Sequence, residues 1–258
     1  MTSDRPAVTR ALEWAGATNV RDLGGLPLER GGATARGVIV RADNIRALTP
    51  AGWEALAAYG VRRIVDLRWI EEREEDPPGP AAPDDVELMH VPVLGANRRE
   101  DRHERFARLA AEVDDGETFT RRLYGEYLAE FPEAFAAAVD AIATAPGPVV
   151  LHCTAGKDRT GIVAALILRI AGVGIAATAD DYALTDASGL LRRGLSDGTP
   201  AEQVRALTYL YAAPRSAMAA LLADVDARYG SAAGYLTRAG LDAATADALG
   251  ARLRADRG

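Results

Sequence analysis

The chain has 258 residues, 48% hydrophobic and 26% charged, a composition typical of a protein with a packed core. Its net charge of −7 at pH 7 disfavours a general nucleic-acid binder, since such proteins are usually basic. The single cysteine, Cys153, excludes an intrachain disulfide, which fits a reducing compartment. Residues 1–10 are polar and the longest apolar run is shorter than the ~20 residues of a spanning helix. We therefore expect a cytoplasmic protein without a transmembrane segment; secretion without a signal peptide stays open.

Segments typical of strands and helices alternate along the first two thirds of the chain. In chain order we predict a strand at 37–41, a helix at 51–59, strands at 61–67 and 86–93, helical structure at 119–143, a strand at 148–152 and a helix at 160–171. Pro132 is expected to kink or break the long alanine-rich helical stretch. This alternation predicts an α/β fold, with a central, mainly parallel sheet flanked by helices.

The last third of the chain, residues 176–258, has a helical pattern interrupted by glycine and proline. Within it, residues 186–214 are the least regular and could cover a site, whereas residues 215–258 are expected to form C-terminal helices. The sequence contains no clear repeat or low-complexity tract, so we treat residues 1–258 as one domain.

The most specific pattern is the segment between the last predicted strand and the apolar helix. Residues 152–161 read HCTAGKDRTG. A dianionic phosphate needs convergent N–H donors and a fixed positive charge, and a loop that leads from a strand into a helix N-terminus supplies the amides and the helix dipole. The residues predicted to bind the phosphate are Thr154, Ala155, Gly156, Lys157, Asp158 and Arg159.

Cys153, at the start of this loop, is the predicted nucleophile, because loop amides and a nearby arginine favour a thiolate. Arg159 offers a planar fork for two phosphate oxygens. Thr160 is placed to donate a hydrogen bond to the thiolate or to the leaving sulfur. His152 lies on the strand before the cysteine, so we expect its side chain to point away from the phosphate and to order the loop. The alternative for the whole segment is an inert buried cysteine beside a chance basic loop.

The loop resembles that of the protein tyrosine phosphatase superfamily, and more closely that of the bacterial tyrosine/lipid phosphatases of the mycobacterial phosphatase B type. Other segments are similar to pieces of that family: TNVRDLGG at 18–25, RAD at 41–43, DLR at 66–68 with Glu72, DY at 181–182, and YGS at 229–231 with YL at 235–236. The resemblance implies a dual-specificity-phosphatase-like fold, a cysteinyl-phosphate intermediate and no cofactor or metal. It also implies helical lid elements after the loop helix, at residues 186–214.

The substrate implied by the resemblance is phosphotyrosine, with phosphoserine, phosphothreonine or phosphoinositides as further classes. Lys157 is similar to a lysine of lipid-phosphatase variants and would suit a substrate with more than one phosphate. A nucleotide or sugar phosphate is an alternative substrate with the same mechanism. The expected partner is therefore a phosphate monoester on a protein, a phosphoinositide or a small metabolite.

The general acid departs from the family pattern. Tyrosine phosphatases usually carry their general acid, an aspartate, on a separate loop. In some relatives this aspartate follows the strand that corresponds to residues 86–93. In this chain that predicted strand is followed by Leu94 and Gly95 instead. We therefore predict Asp158, inside the phosphate loop, as the acid. The alternative is a helix N-terminal carboxylate that orders the loop. Asp43 is a candidate for the site rim, against a role in a turn or helix cap.

Three rival functions are weighed against this prediction. A P-loop NTPase requires glycine at position 151 and serine or threonine at position 158, where this chain has Leu151 and Asp158. A non-catalytic phospho-ligand module would keep the amide cradle but typically lose the cysteine or the arginine. A sulfur transferase would not be expected to have the KDRTG ending.

The three histidines (His90, His103 and His152) show no metal-binding spacing, so no metal is expected.

Overall fold

A five-stranded sheet forms the centre of the fold in the computed structural model, which describes residues 9–76, 82–94, 99–189 and 201–254. The strands are β1 (Arg21–Asp22), β2 (Ile39–Ala42), β3 (Arg63–Asp66), β4 (Glu87–His90) and β5 (Val149–His152). Their order is β1-β2-β5-β3-β4. Strands β2, β5, β3 and β4 are parallel, and the short β1 pairs antiparallel with β2. The α/β prediction with a mainly parallel sheet is therefore confirmed.

The helices surround this sheet. They are α1 (Pro50–Ala58), α2 (Ile70–Glu74), α3 (Arg99–Glu112), α4 (Gly116–Glu130), α5 (Pro132–Ala143), α6 (Asp158–Ala171), α7 (Ile175–Ala183), α8 (Ala201–Tyr211), α9 (Arg215–Tyr229), α10 (Ala232–Arg238) and α11 (Ala243–Arg254), with 3-10 turns at Ile45–Ala47 and Leu184–Ser188. Pro132 starts α5 directly after α4 ends, because proline is accepted in a first helical turn but not in a helix interior. No helix within the described ranges is both long and apolar enough to cross a bilayer.

Both faces of the sheet are buried, since successive residues of a strand point to opposite sides. Val149 and Leu151 of β5 pack into a large core with α4, α5 and α6. Val150, between them, packs into a smaller core on the other face with Trp53 and Leu56 of α1. A strand covered on both faces has a continuous apolar sequence, which is why residues 149–151 show no polar alternation.

Helix α6 is buried on nearly every side, which explains its almost entirely apolar sequence. It contacts the sheet through β2 and β5, and it is covered by α5, α7, α10 and α11. The helix begins at Asp158, two residues before the predicted start, and an acidic side chain in a first turn is favourable to the helix dipole. The loop between β5 and α6 therefore joins two rigid, buried elements at the carboxyl edge of the sheet, where ligands bind in open α/β folds.

Candidate active site

Cys153 lies at the carboxyl end of the central strand, at the base of a cavity of about 710 Å³. Its side chain is buried, with a residue exposure of 2%. The loop residues Thr154, Ala155, Lys157, Asp158 and Arg159 line the same cavity. The other walls come from the segment after β3, from α3, α4 and α8, and from Leu94 after β4. The structure thus brings most of the predicted loop residues together around one cavity.

Gly156 makes the tight turn of this loop possible. Its φ of 66° lies in the left-handed region that side chains rarely adopt. A Cβ atom at this position would lie 2.5 Å from the carbonyl oxygen of Ala42, at the end of the neighbouring strand β2. Both the backbone angle and this close approach require glycine.

Arg159 is held beside the cysteine by Glu72, a residue of α2. Its two terminal nitrogens bind the two carboxylate oxygens of Glu72, with Nη2 at 2.9 Å from Oε1. The guanidinium also lies over the Trp69 ring, 5.0 Å from its centroid. Burial alone would lower the pKa of Arg159, but the charges of Cys153 and Glu72 raise it above its ordinary value. The arginine is therefore a permanent, oriented cation next to the sulfur.

Glu72 has further contacts that fix its own position. The Thr154 hydroxyl donates to Oε1 at 2.6 Å, and the backbone N–H of Trp69 donates to Oε2 at 2.9 Å. Burial would raise the pKa of this carboxyl, yet the hydrogen bond and charge of Arg159 bring it down to about 2. Glu72 is consequently ionised at any working pH and can orient Arg159 continuously.

Lys157 connects the loop to helix α8. Its side chain is almost fully buried, and Nζ donates to the carbonyl oxygen of Leu210 at 2.8 Å and more weakly to that of Tyr209 at 3.5 Å. These carbonyls belong to the last turn of α8, where an ammonium is favourable to the helix dipole. Nζ is also 3.3 Å from Oδ1 of Asp158.

Asp158 reaches into the cavity from the first turn of α6 and is about one-third exposed (31%). The hydroxyl of Tyr124 donates to its Oδ1 at 2.5 Å. Burial, followed by the charge of Asp158, raises the pKa of Tyr124 well above its usual range, so the tyrosine keeps its proton and acts as the donor. Tyr124 and Lys157 therefore both contact the same oxygen, Oδ1.

The supporting residues predicted from the sequence, His152, Thr160 and Asp43, are not among the described residues that line the cavity. Burial lowers the pKa of His152 to about 4 despite Asp66 nearby, so the ring is neutral, and its Nδ1 lies 3.2 Å from the carbonyl oxygen of Cys153. The Thr160 hydroxyl is fully buried and makes no hydrogen bond to another described residue. Asp43 accepts hydrogen bonds from the backbone and hydroxyl of Thr18, at 2.7 and 2.5 Å.

The predicted cover segment, residues 186–214, is described only in part, because residues 190–200 lie outside the described ranges. Leu207, Tyr209, Leu210 and Tyr211 of α8 line the cavity. Sequence reasoning missed the contacts of Tyr124 and Trp69. Tyr124 gave no signal, since it lies 34 residues from Asp158 on a helix with an ordinary pattern. The position of Trp69, directly after the DLR segment, could have suggested a wall of the site.

Comparison with known proteins agrees with this geometry. Residues 12–255 match the model of the Tyrosine phosphatase family. The triple specificity protein phosphatase PtpB of Mycobacterium tuberculosis is 30% identical over an alignment of 272 positions, gaps included, which covers 92% of this chain and 96% of the relative. A tyrosine-protein phosphatase of Nostoc commune is 29% identical over an alignment of 239 positions, gaps included, which covers 88% of this chain and 78% of the relative. The chain therefore belongs to the tyrosine phosphatase family and is an enzyme of the cysteine-dependent hydrolase type.

Proposed function

We propose that the chain hydrolyses phosphate monoesters through a phosphocysteine at Cys153, and that phosphotyrosine in proteins is its main substrate. The observation that carries this proposal is the placement of Cys153, the loop and Arg159 at the base of a cavity whose walls are largely aromatic and aliphatic. The loop suits the phosphate and the walls suit the group that leaves.

In the first step the Cys153 thiolate attacks phosphorus, so that an S–P bond forms and the ester P–O bond breaks. Arg159 and the loop amides stabilise the charge on the three phosphoryl oxygens. Asp158 donates its proton from Oδ2 to the departing oxygen. In the second step Asp158 removes a proton from water, the water oxygen attacks phosphorus, and the S–P bond breaks to release inorganic phosphate and the thiolate.

The apolar walls support an aromatic leaving group. Phe106 of α3, Leu123 and Tyr127 of α4 and Leu207 of α8 face the cavity together with Leu94. A tyrosyl ring would bury its faces against such side chains, whereas the hydroxyl-rich ring of a sugar would leave its polar groups unpaired there. A second phosphate on the substrate would need the charge of Lys157. The Lys157 ammonium donates to a carbonyl at the end of α8, so a phosphoinositide would have to replace this carbonyl as its partner.

The domain organisation is part of the same proposal. Helices α9 and α11 contact α7 and α6, respectively, next to the loop helix. These contacts support a single catalytic domain that includes the C-terminal helices. The presence of Leu207 and Leu210 in the cavity wall supports a lid role for α8, the helix of the 186–214 segment that the structure describes.

The test of substrate class is phosphate release from a phosphotyrosine peptide, matched phosphoserine and phosphothreonine peptides, phosphoinositides, and sugar and nucleotide monophosphates. We expect kcat/KM to be highest for the phosphotyrosine peptide. Cys153→Ser protein prepared in parallel reports contaminating phosphatases. A higher kcat/KM for a sugar or nucleotide phosphate would overturn the protein-tyrosine assignment and leave a small-molecule phosphatase.

Gly156→Ala is expected to lower kcat/KM for an aryl phosphate by about 10- to 100-fold. The new methyl group collides with the Ala42 carbonyl, and the positive φ is strained for alanine, so the loop must shift. Steady-state kinetics measure the effect. The matched control is Gly125→Ala in α4, where a Cβ atom meets nothing within 4 Å and alanine favours the helix. A Gly156→Ala enzyme as active as the Gly125→Ala enzyme would contradict the proposed role of the loop.

A further inference from the structure

The back of the phosphate loop is tied to other parts of the chain through its carbonyl groups. Three consecutive carbonyl oxygens are bound by donors from outside the loop. Thr154 O accepts from the backbone N–H of Asn44 (3.1 Å), Ala155 O from Asn19 Nδ2 (3.4 Å), and Gly156 O from both Asn19 Nδ2 (3.2 Å) and Arg41 Nη2 (2.7 Å). None of these three donor residues belongs to the cavity wall that the described residues form.

The direction of these carbonyls determines the direction of the loop amides. In a planar trans peptide, the C=O of one residue and the N–H of the next point in opposite directions. Carbonyls of Thr154, Ala155 and Gly156 that are held away from the cavity therefore turn the N–H groups of Ala155, Gly156 and Lys157 towards it. These three amides are the donors that a phosphoryl group would meet.

Asn19 is built for this contact. It has a φ of 56°, a left-handed conformation that is uncommon for a residue other than glycine and in which asparagine is comparatively tolerated. Its side-chain oxygen accepts a hydrogen bond from Nη1 of Arg21, and this bond fixes which end of the amide faces the loop. The Nδ2 donor is thereby directed at the two loop carbonyls.

Asp181 of α7 holds both arginines. Its carboxylate binds Arg41 Nη1 at 3.0 Å and Arg21 Nε at 3.2 Å, and its backbone carbonyl accepts from Arg21 Nη2 at 2.7 Å. Arg10 completes the cluster at 2.7 Å. One buried carboxylate thus faces three guanidinium groups. Burial would raise the pKa of Asp181, but the three arginines hold it well below its usual range. Arg41 brings one of these guanidinium groups against the Gly156 carbonyl of the loop.

We infer that Asn19 and Arg41, both held in place by Asp181, are positioning residues that aim the loop amides at the phosphoryl group. Arg41 acts directly on the Gly156 carbonyl, and Asp181 acts on Asn19 through Arg21. This inference rests on the proposed function of the loop. It predicts that oxyanion affinity depends on residues of β2, α7 and the N-terminal segment that never touch the substrate.

The experiment measures the inhibition constant of orthovanadate against an aryl phosphate, together with the melting temperature, in Asn19→Gly, Arg41→Lys and Asp181→Asn. Glycine removes the Asn19 amide without straining a positive φ. Lysine keeps the charge of Arg41 but cannot bridge Asp181 and the Gly156 carbonyl at once. The inhibition constant refers to folded, active enzyme, so it does not change when only the folded fraction falls.

We expect the vanadate inhibition constant to rise about tenfold in Asn19→Gly and about 10- to 100-fold in Arg41→Lys and Asp181→Asn, from the loss of one neutral or one charged hydrogen bond on the loop. The matched control is Arg169→Lys. Arg169 also joins a carbonyl, that of Val173 (2.6 Å), to a carboxylate, that of Asp226 (2.9 Å), but at the far end of α6. It should lose thermal stability without any change in vanadate inhibition.

Unchanged vanadate inhibition in the three variants, with lower melting temperatures only, would overturn the inference and leave the cluster a structural one. If Asp181→Asn does not fold, Asn19→Gly and Arg41→Lys decide, since both keep the buried carboxylate. Wild-type enzyme that vanadate does not inhibit competitively would instead contradict the proposed function itself. The two failures are thus separate.

Discussion

Cys153→Ser should lower turnover of every phosphate monoester by at least about 10⁴-fold, while inorganic phosphate or tungstate still binds. A serine hydroxyl does not ionise in the field that produces a thiolate, so the phosphoryl group has no acceptor. The binding groups are untouched, because Arg159 is held by Glu72 and the loop amides by the residues behind them. Calorimetric titration with tungstate measures the binding, and phosphate release measures the turnover.

The physical basis is the pairing of Cys153 with Arg159. The sulfur is buried at 2% exposure and is the only cysteine of the chain, so it has no disulfide partner within it. Burial by itself would lower the pKa of Arg159, and the charge of Cys153 is among the interactions that raise it. Arg159 therefore presents a fixed positive charge beside the nucleophilic sulfur. Phosphate release by Cys153→Ser at a rate near that of the wild type would falsify the covalent mechanism.

The local part of the site could be predicted from the sequence because it is contiguous. An apolar strand, the loop within residues 152–161 and an apolar helix follow one another, and this order is enough to predict a phosphate-binding loop. The glycine at 156 and the arginine at 159 follow from the same local requirement. The ends of strands and helices were predicted less accurately. Strand β3 occupies residues 63–66 within the predicted 61–67, because the hydrophobic pattern extends beyond the residues that pair with neighbouring strands.

The distant part of the site depends on the sheet topology. Strand β3 lies next to β5 with Asp66 opposite His152, so the segment after β3 reaches the phosphate loop. Because the two strands are neighbours, Glu72 and Trp69 contact Arg159. Glu72 and Arg159 are 87 residues apart in the sequence. The sequence pattern gives the strands but not their order in the sheet. Glu72 was therefore noted only as part of a resemblance, and its pairing with Arg159 was not predicted. The Asp181 cluster depends in the same way on α7 packing against the start of α6.

The role of Asp158 predicts a dependence on the leaving group. Asp158→Asn should lower kcat/KM for a phosphotyrosine peptide or an alkyl phosphate by about 10²- to 10⁴-fold, because these alkoxide or phenoxide groups need a proton to depart. The loss should be much smaller for an aryl phosphate with a strongly acidic phenol, whose oxygen departs unprotonated. Parallel kinetics on the two substrates measure the difference.

Asp158 also anchors its surroundings, because the Tyr124 hydroxyl and the Lys157 ammonium lie 2.5 and 3.3 Å from its Oδ1. The matched control is Glu75→Gln, which removes one carboxylate from the same cavity and should affect both substrates equally. Equal losses for the two substrates in Asp158→Asn as well would assign Asp158 to loop architecture, as a carboxylate that anchors Tyr124 and Lys157 at the start of α6.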